Sequence, residues 1–168
     1  MSGAGRATSG GPLAVERVHD AAGLAEAHGL RFEVFVDEQD VPAEEEVDAL
    51  DTHPTTTHVL VRDAGGVVVG TGRLLTDAAH PGEVHVGRVA VARSARGLGV
   101  GAVVMAALER IALDEHAVDV AGAHRVRVLL SAQVQAAGFY ERQGYEVFGP
   151  VYLDADIDHR DAVKVLER

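Results

Sequence analysis

Arg96, Gly97, Leu98, Gly99, Val100 and Gly101 place an arginine beside three glycines at the start of a helix, since Val100, Val104, Ala107, Leu108 and Ile111 recur at intervals of three and four. Glycine has no Cβ, so the main chain can turn tightly there and come close to another group. A helix start exposes N–H groups without intrahelical partners and carries the positive end of the macrodipole. Such a turn suits an anion, above all a phosphate. Residues 88–108 add Arg88, Arg93 and Arg96 and contain no Asp or Glu. The local field therefore opposes that of the whole chain, whose net charge is -11 at pH 7.

Elements that would position this turn are legible on both sides of it. Residues 13–19 alternate as a strand, and Asp20 reads as the N-cap of a helix with Leu24, Ala27, Phe32, Phe35 and Val36 on one face. Residues 58–75 hold two β-branched runs around a glycine-containing loop, a hairpin pattern. Within residues 83–91, Val84 and Val86 share one parity, whereas Val89 and Val91 share the other. One inserted residue near Gly87 or Arg88, a β-bulge, would bring both halves to one core and leave backbone groups unpaired for a ligand. An ordinary buried strand with an irregular pattern is the alternative. Val126, Val128 and Leu130 alternate in a further strand, followed by a helical reading from Ala132 to a C-cap at Gly144. The stretches "YEVFG" and "AVKVLER" read as two last strands. The order is mixed α/β, with consecutive strands also pairing as hairpins.

Two of these stretches resemble motifs of one family. "RVAVARSARGLGVGAVVMAALE" resembles motif A of the GNAT N-acetyltransferases: a strand, R/QxxGxG/A, then a helix. "LSAQVQAAGFYERQGYEVFG" is similar to the superfamily's later motif, a strand followed by NxxAxxFYxxxGF, with Gln133, Ala136, Phe139, Tyr140, Gly144 and Tyr145 in those places. Gln133 departs from the usual Asn, and Tyr145 from the usual Phe. "LRFEVFVDEQDVPAEEEVDALD", followed by a strand from His58, resembles the ElaA-like branch, which also favours glutamine at the position of Gln133 and a histidine near the C-terminus, here His159. The resemblance runs from about residue 13 to the end.

It implies an α/β (α+β) GNAT fold, with a mixed, mainly antiparallel sheet of six to seven strands flanked by helices. The implied activity is acetyl-CoA-dependent N-acetylation of a primary amine by direct transfer in a ternary complex. Acetyl-CoA is then the co-substrate and no metal is involved. The N–H groups of Gly97, Leu98, Gly99, Val100 and Gly101 would cradle the pyrophosphate, with Arg96 adding charge. Val89, Ala90 and Val91 would bond the pantetheine arm like an added strand, with Gln133 beside it. Tyr140 takes the family role of general acid: a phenol of pKa about 10 can supply a proton to a thiolate whose conjugate acid has a pKa of about 8.5. The competing account of Phe139 and Tyr140 is that they anchor a helix in the core. A non-catalytic acyl-CoA sensor is the alternative function. Gly97, Gly99 and Ala102 also satisfy a dinucleotide fingerprint, but "ARSAR" separates them from the strand and hairpin strands come first.

The acceptor side is carried by residues 33–51, where Glu33, Asp37, Glu38, Asp40, Glu44, Glu45, Glu46, Asp48 and Asp51 stand without a lysine or arginine. Such a surface attracts a cationic amine, although a solvated acidic loop has the same composition. Glu38 and Gln39 are assigned to the cleft. His85, on the strand of the bulge, and His159 are candidates to meet the amine, each with a purely structural alternative. Asp154, Asp156 and Asp158 imitate an EF-hand only in part, because His159 stands where its glycine belongs and Val165 where its glutamate belongs.

Wider features narrow the partners. Strong negative charge disfavours nucleic acid, and four Phe and three Tyr are too few for a base-stacking platform. The absence of cysteine removes disulfides and thiolate zinc sites and fits a reducing cytoplasm. No leader or membrane-length apolar run is legible. Residues 1–12 read as a flexible tail and 13–168 as a single domain of 47% hydrophobic composition in the chain overall. A homodimer is left open.

Overall fold

The computed structural model describes residues 11–168; the expected flexible tail falls largely on residues 1–10, outside the described residues. The order is β1 (Ala14–Arg17), α1 (Ala21–Arg31), α2 (Ala43–Glu46), β2 (Thr57–Arg62), β3 (Val68–Thr76), β4 (Glu83–Val91), α3 (Val100–His116), β5 (Val118–Val120), β6 (Ala123–Gln133), α4 (Ala137–Arg142), β7 (Glu146–Asp154) and β8 (Ile157–Glu167). Seven strands run β1-β2-β3-β4-β6-β8-β7, and β5 pairs with β6 off this path. Among the described residues only β4 and β6 are parallel neighbours. The eighth strand exceeds the expected six to seven because Val118–Val120 folds back on Ala123–Arg125, a segment too short to show a period. Among the described residues no helix is long and apolar enough to cross a membrane.

Helices cover both faces of the sheet, and β3 shows how. Gly70 and Gly72 share one of its faces: a Cβ on Gly70 would stand 2.6 Å from Val100 Cγ1, and one on Gly72 would stand 2.8 Å from both Leu108 Cδ1 and Val104 Cγ1. These glycines are the floor on which α3 lies. Arg73, one residue on, must point to the opposite face, and it meets the acidic segment held there by Arg31 of α1. Val100, Val104, Met105, Leu108 and Ala112 of α3 are buried on one side, Ala27 and Leu30 of α1 on the other.

Asp20 caps α1 as expected, its carboxylate accepting from Gly23 N at 2.8 Å. The helix then continues as a π-helical turn over Phe32–Glu38, where sequence periodicity implied uninterrupted α-helix. β6 extends to Gln133 because that residue pairs with His159 of β8, so the helix expected from Ala132 begins only at Ala137. Gly144 closes α4 with φ 94°, its N–H donating to Glu141 O at 3.0 Å. Beside it Lys164, the one lysine of the chain, donates to Glu109 Oε1 at 2.6 Å and Gln143 O at 2.7 Å. β7 and β8 are longer than the two short strands expected, and they meet at an Ala155–Asp156 turn with both φ positive.

Most acids of residues 33–51 are exposed, as in a solvated loop, but Glu46 and Asp51 are buried and paired inside the protein. Arg31, 1% exposed, donates to Glu46 Oε1 at 2.7 Å and to Asp51 Oδ1 at 2.8 Å. Arg73 donates to Asp48 Oδ1 at 2.8 Å and Asp51 Oδ1 at 3.0 Å. Burial by itself pushes the Asp51 carboxyl up, but hydrogen bonds and charge from Arg31, with bonds from Arg73 and His28, hold it far below the usual carboxylate range. This cluster pins residues 43–52 to α1 and β3. Replacing Asp51 by Asn leaves two buried guanidinium groups short of a counter-charge and should cost about 3–5 kcal/mol in urea denaturation. A depressed native pKa stabilises above the unfolded carboxyl value, about 4, and the contribution drains as pH falls below it. The wild type should therefore lose stability below about pH 4 more steeply than Asp51→Asn.

Candidate active site

β4 is hydrogen-bonded to β6 over Glu83–Val86 and Arg127–Leu130 and then leaves it. Opposite β3, Gly87 faces Arg73 and Ala90 faces Thr71, so β4 uses one residue more than its partner. Arg88 is at this bulge with φ 52°. The extra residue restores one face to Val84, Val86, Val89 and Val91, as the parity of the sequence suggested. It also opens a gap between β4 and β6.

Backbone direction along this lip follows from one bond. Ala92 N donates to Val69 O of β3 at 2.8 Å, so by alternation Val89 and Val91 turn their N–H and C=O groups away from β3, into the gap. Ala90 turns towards β3 and offers the gap no main-chain group. A cleft of about 470 Å³ fills the opening, with Val89, Val91 and Arg96 on one side and Gln133, Tyr140 and His159 on the other.

The glycine turn lies at the end of the β4 lip. Gly97 and Gly99 have φ of 82° and 80°, and nothing stands within 4 Å of where a Cβ would be on either. Gly99 is the N-cap of α3 without a side-chain cap bond, leaving first-turn N–H groups for an outside acceptor. Gly101 fits against Phe139, whose Cζ would be 3.0 Å from an added Cβ. Arg96 is already engaged: Glu38 takes both arms of its guanidinium, at 2.8 and 2.9 Å, and Val91 O accepts a longer bond at 3.3 Å. Glu38 thus reaches the site as a partner of Arg96, with the π-helical turn carrying it there.

On the other lip, Gln133 donates to Gln39 Oε1 at 2.8 Å and accepts from Gln135 at 2.8 Å. The amide at position 133 therefore spans the cleft to the segment after the π-helical turn. Tyr140 packs edge-on against Phe139 and Tyr145, with centroids 5.0 and 5.9 Å away. Burial pushes its phenol up to about 12, so it is the proton-bearing form at any working pH. Tyr145, the second departure from the family motif, is buried and donates to Glu109 Oε2 at 3.2 Å; its hydroxyl is satisfied in the core.

His85 is outside this constellation. It is exposed, pairs across to Leu75 and Leu129, and belongs to the charge environment of Asp77. The inserted residue starts beyond it, so sharing a strand with the bulge did not bring it into the cleft. Sequence reasoning missed Arg88 and Ser131 as lining residues. A positive charge within the suspected bulge was the available signal for the first; the second had none. Ser131 forms a short hydrogen bond with Tyr152, whose hydroxyl also donates to Asp161 Oδ1 at 2.8 Å. Among the described residues no group of three or more His, Cys, Asp or Glu could hold a metal ion.

A sheet splayed at a bulged strand, with a glycine turn opening the following helix, defines an acyltransferase fold, and the comparisons give its family. The acetyltransferase (GNAT) family model matches residues 22–145, and the chain belongs to that family. It is 39% identical over 142 residues, 84% of this chain and 91% of the relative, to YjcF of Bacillus subtilis (strain 168), described as an uncharacterized N-acetyltransferase. A crystal structure of an acyl-CoA N-acyltransferase from Pseudomonas aeruginosa superposes with a TM-score of 0.76 at 32% identity, covering 91% of this chain and 99% of that one. The crystal structure of Escherichia coli ElaA gives 0.76 at 24% identity with the same coverage and shows the shared fold.

Fold and family imply an acyl-CoA co-substrate, and the pairing of Glu38 with Arg96 then has a measurable consequence. Glu38→Gln should tighten coenzyme A binding by up to about fivefold in calorimetry, the worth of a half-exposed ion pair of at most about 1 kcal/mol. Arg96→Gln should weaken it.

Proposed function

We propose that this protein is an acetyl-CoA-dependent N-acetyltransferase that passes the acetyl group directly to a primary amine within a ternary complex. The observation that carries this reading is the β4 lip, which supplies outward backbone groups at Val89 and Val91 and ends at a cradle open for anions. The residues fit the co-substrate: open space at Gly97 and Gly99 lets the main chain approach a pyrophosphate, and the N–H groups from Gly97 through Leu98, Gly99, Val100 and Gly101 hold it at the positive end of α3. Arg96 adds charge once exchanged from Glu38. Val89 and Val91 bond the pantetheine amides; Ala90 packs beneath, and Gln133 closes the opposite wall.

The co-substrate supplies an acetyl thioester, whose carbonyl becomes an oxyanion on attack. An N–H of the bulged lip stabilises that charge, worth roughly 3 kcal/mol for one well-placed donor. Tyr140 then protonates the departing sulfur, burial keeping the phenol neutral and ready to donate. Nothing in this scheme needs a covalent enzyme intermediate. The acceptor is a small-molecule or peptide amine, which approaches through the half of the cleft lined by Gln39, Glu45 and His159.

Incubation with acetyl-CoA and a broad amine panel, followed by thiol release and mass spectrometry, tests the activity. Tyr140→Phe should slow turnover by roughly 10²–10⁴-fold while calorimetric affinity for coenzyme A stays unchanged. Equal turnover of wild type and variant overturns the acid role. Tight binding without acetylation of any amine would mark a sensor instead.

A further inference from the structure

Accepting the acetyl-transfer reading above, we infer that His159 is the general base that takes the proton from the acceptor ammonium, through its Nε2. His159 is on β8, directly opposite Gln133 of β6 and Tyr152 of β7. Its ring stacks on Tyr152, with centroids 6.1 Å apart and planes at 22°. Only 9% of the residue is exposed, and it lines the cleft.

One contact sets its chemistry. Nδ1 is 2.6 Å from the carbonyl oxygen of Ile157. A carbonyl oxygen only accepts, so Nδ1 carries the hydrogen, and the neutral ring then has its lone pair on Nε2. Among the described residues no hydrogen-bond partner is recorded for Nε2. In a ring nine-tenths buried, clamped by stacking and by one main-chain bond, Nε2 is thus the one polar side-chain atom without a bond, on a residue that lines the cleft. Neutral imidazole with a free ring nitrogen is the commonest side-chain general base.

The charged and titratable groups around it leave that role open. Gln133 and Ser131 face it from β6, and Tyr152 from β7, its hydroxyl engaged by Ser131 and Asp161. On β8, Asp158 and Arg160 flank it, with Arg160 Nε donating to Gly149 O at 2.9 Å. Tyr140, Arg88, Glu45, Glu46 and Asp154 share the cleft. Glu46 is committed to Arg31, and Tyr140 holds its proton for sulfur.

The step balances as follows. The ammonium gives one proton to Nε2, and its freed lone pair forms the C–N bond to the thioester carbonyl carbon. The C–S bond breaks with its electron pair on sulfur, which takes the Tyr140 proton. Nitrogen sheds a second proton, which restores Tyr140, and the imidazolium releases its own to solvent. One proton is released per acetyl group.

Long-range ¹H–¹⁵N NMR of the full chain should show His159 as the Nδ1–H tautomer at neutral pH. Finding Nε2–H overturns the inference without any turnover measurement. His159→Gln should keep coenzyme A affinity by calorimetry and lower kcat/KM for propylamine by roughly 10²–10⁴-fold. The deficit should shrink as pH rises and solvent itself frees the amine, and it should be small for hydroxylamine, which is already unprotonated at neutral pH. His159→Ala should regain propylamine turnover with added imidazole. A uniform loss at all pH values and for both nucleophiles, or none, overturns the base role while leaving acetyl transfer intact. Absence of coenzyme A binding by the wild type would instead overturn the parent reading.

Discussion

The constraint behind this architecture is an interrupted ladder. Past Val86 and Leu130, two neighbouring strands stop bonding to one another, and a backbone amide without a partner must find one elsewhere. In a closed sheet that would be a defect, costing up to a few kcal/mol per orphaned group. Here the outward groups of Val89 and Val91 border an open cleft, where Arg96 already meets Val91 O and water or a ligand can satisfy the rest. The bulge at Arg88 keeps the apolar side chains of β4 on one face while its main chain changes direction. The glycine floor of β3 lets α3 descend far enough for its first turn to meet the end of the same strand.

A second constraint is electrostatic. A chain of net charge -11 buries Glu46 and Asp51 against Arg31 and Arg73, with Arg88 close to Glu46 and Asp48 at 3.4 and 3.5 Å. A surface run of acids would only repel itself. Folded back on arginines of α1, β3 and the bulge, the stretch from Glu46 to Asp51 becomes a wall of defined shape. Buried pairs of this kind do little for net stability but penalise every arrangement that separates them, so this side of the cleft is held in register with the strand that carries the opening.

Much of this was legible in the residues. The change of parity between Val86 and Val89 announced the bulge, because side chains on a strand alternate strictly. The glycines at 97 and 99 announced the tight turn before α3, where both adopt positive φ. What escaped was set by pairing across the sheet. Gln133 read as helix because its neighbours are helix formers, yet its pairing with His159 keeps it in a strand. Residues 150–161 showed no strand pattern since Val151 and Leu153 are exposed and the turn uses alanine and aspartate at positive φ, where glycine or asparagine would have signalled it. The fate of the acids, bound inside or spread in solvent, depended on which arginines the fold would bring to them, and composition does not carry that. His85 misled for the same reason: membership of a strand says nothing about which end of it meets the opening.

Lys164 adds one more consequence. A catalyst that acylates amines is exposed at close range to its own reagent, and side-chain amines are its natural by-product targets. This chain has a single one, and its nitrogen is tethered between the Glu109 carboxylate and the Gln143 carbonyl behind α4, with arginine supplying every other fixed cation of the sequence. Guanidinium does not compete as a nucleophile. The chain therefore offers a single side-chain amine to such self-modification, and that one is already held in hydrogen bonds.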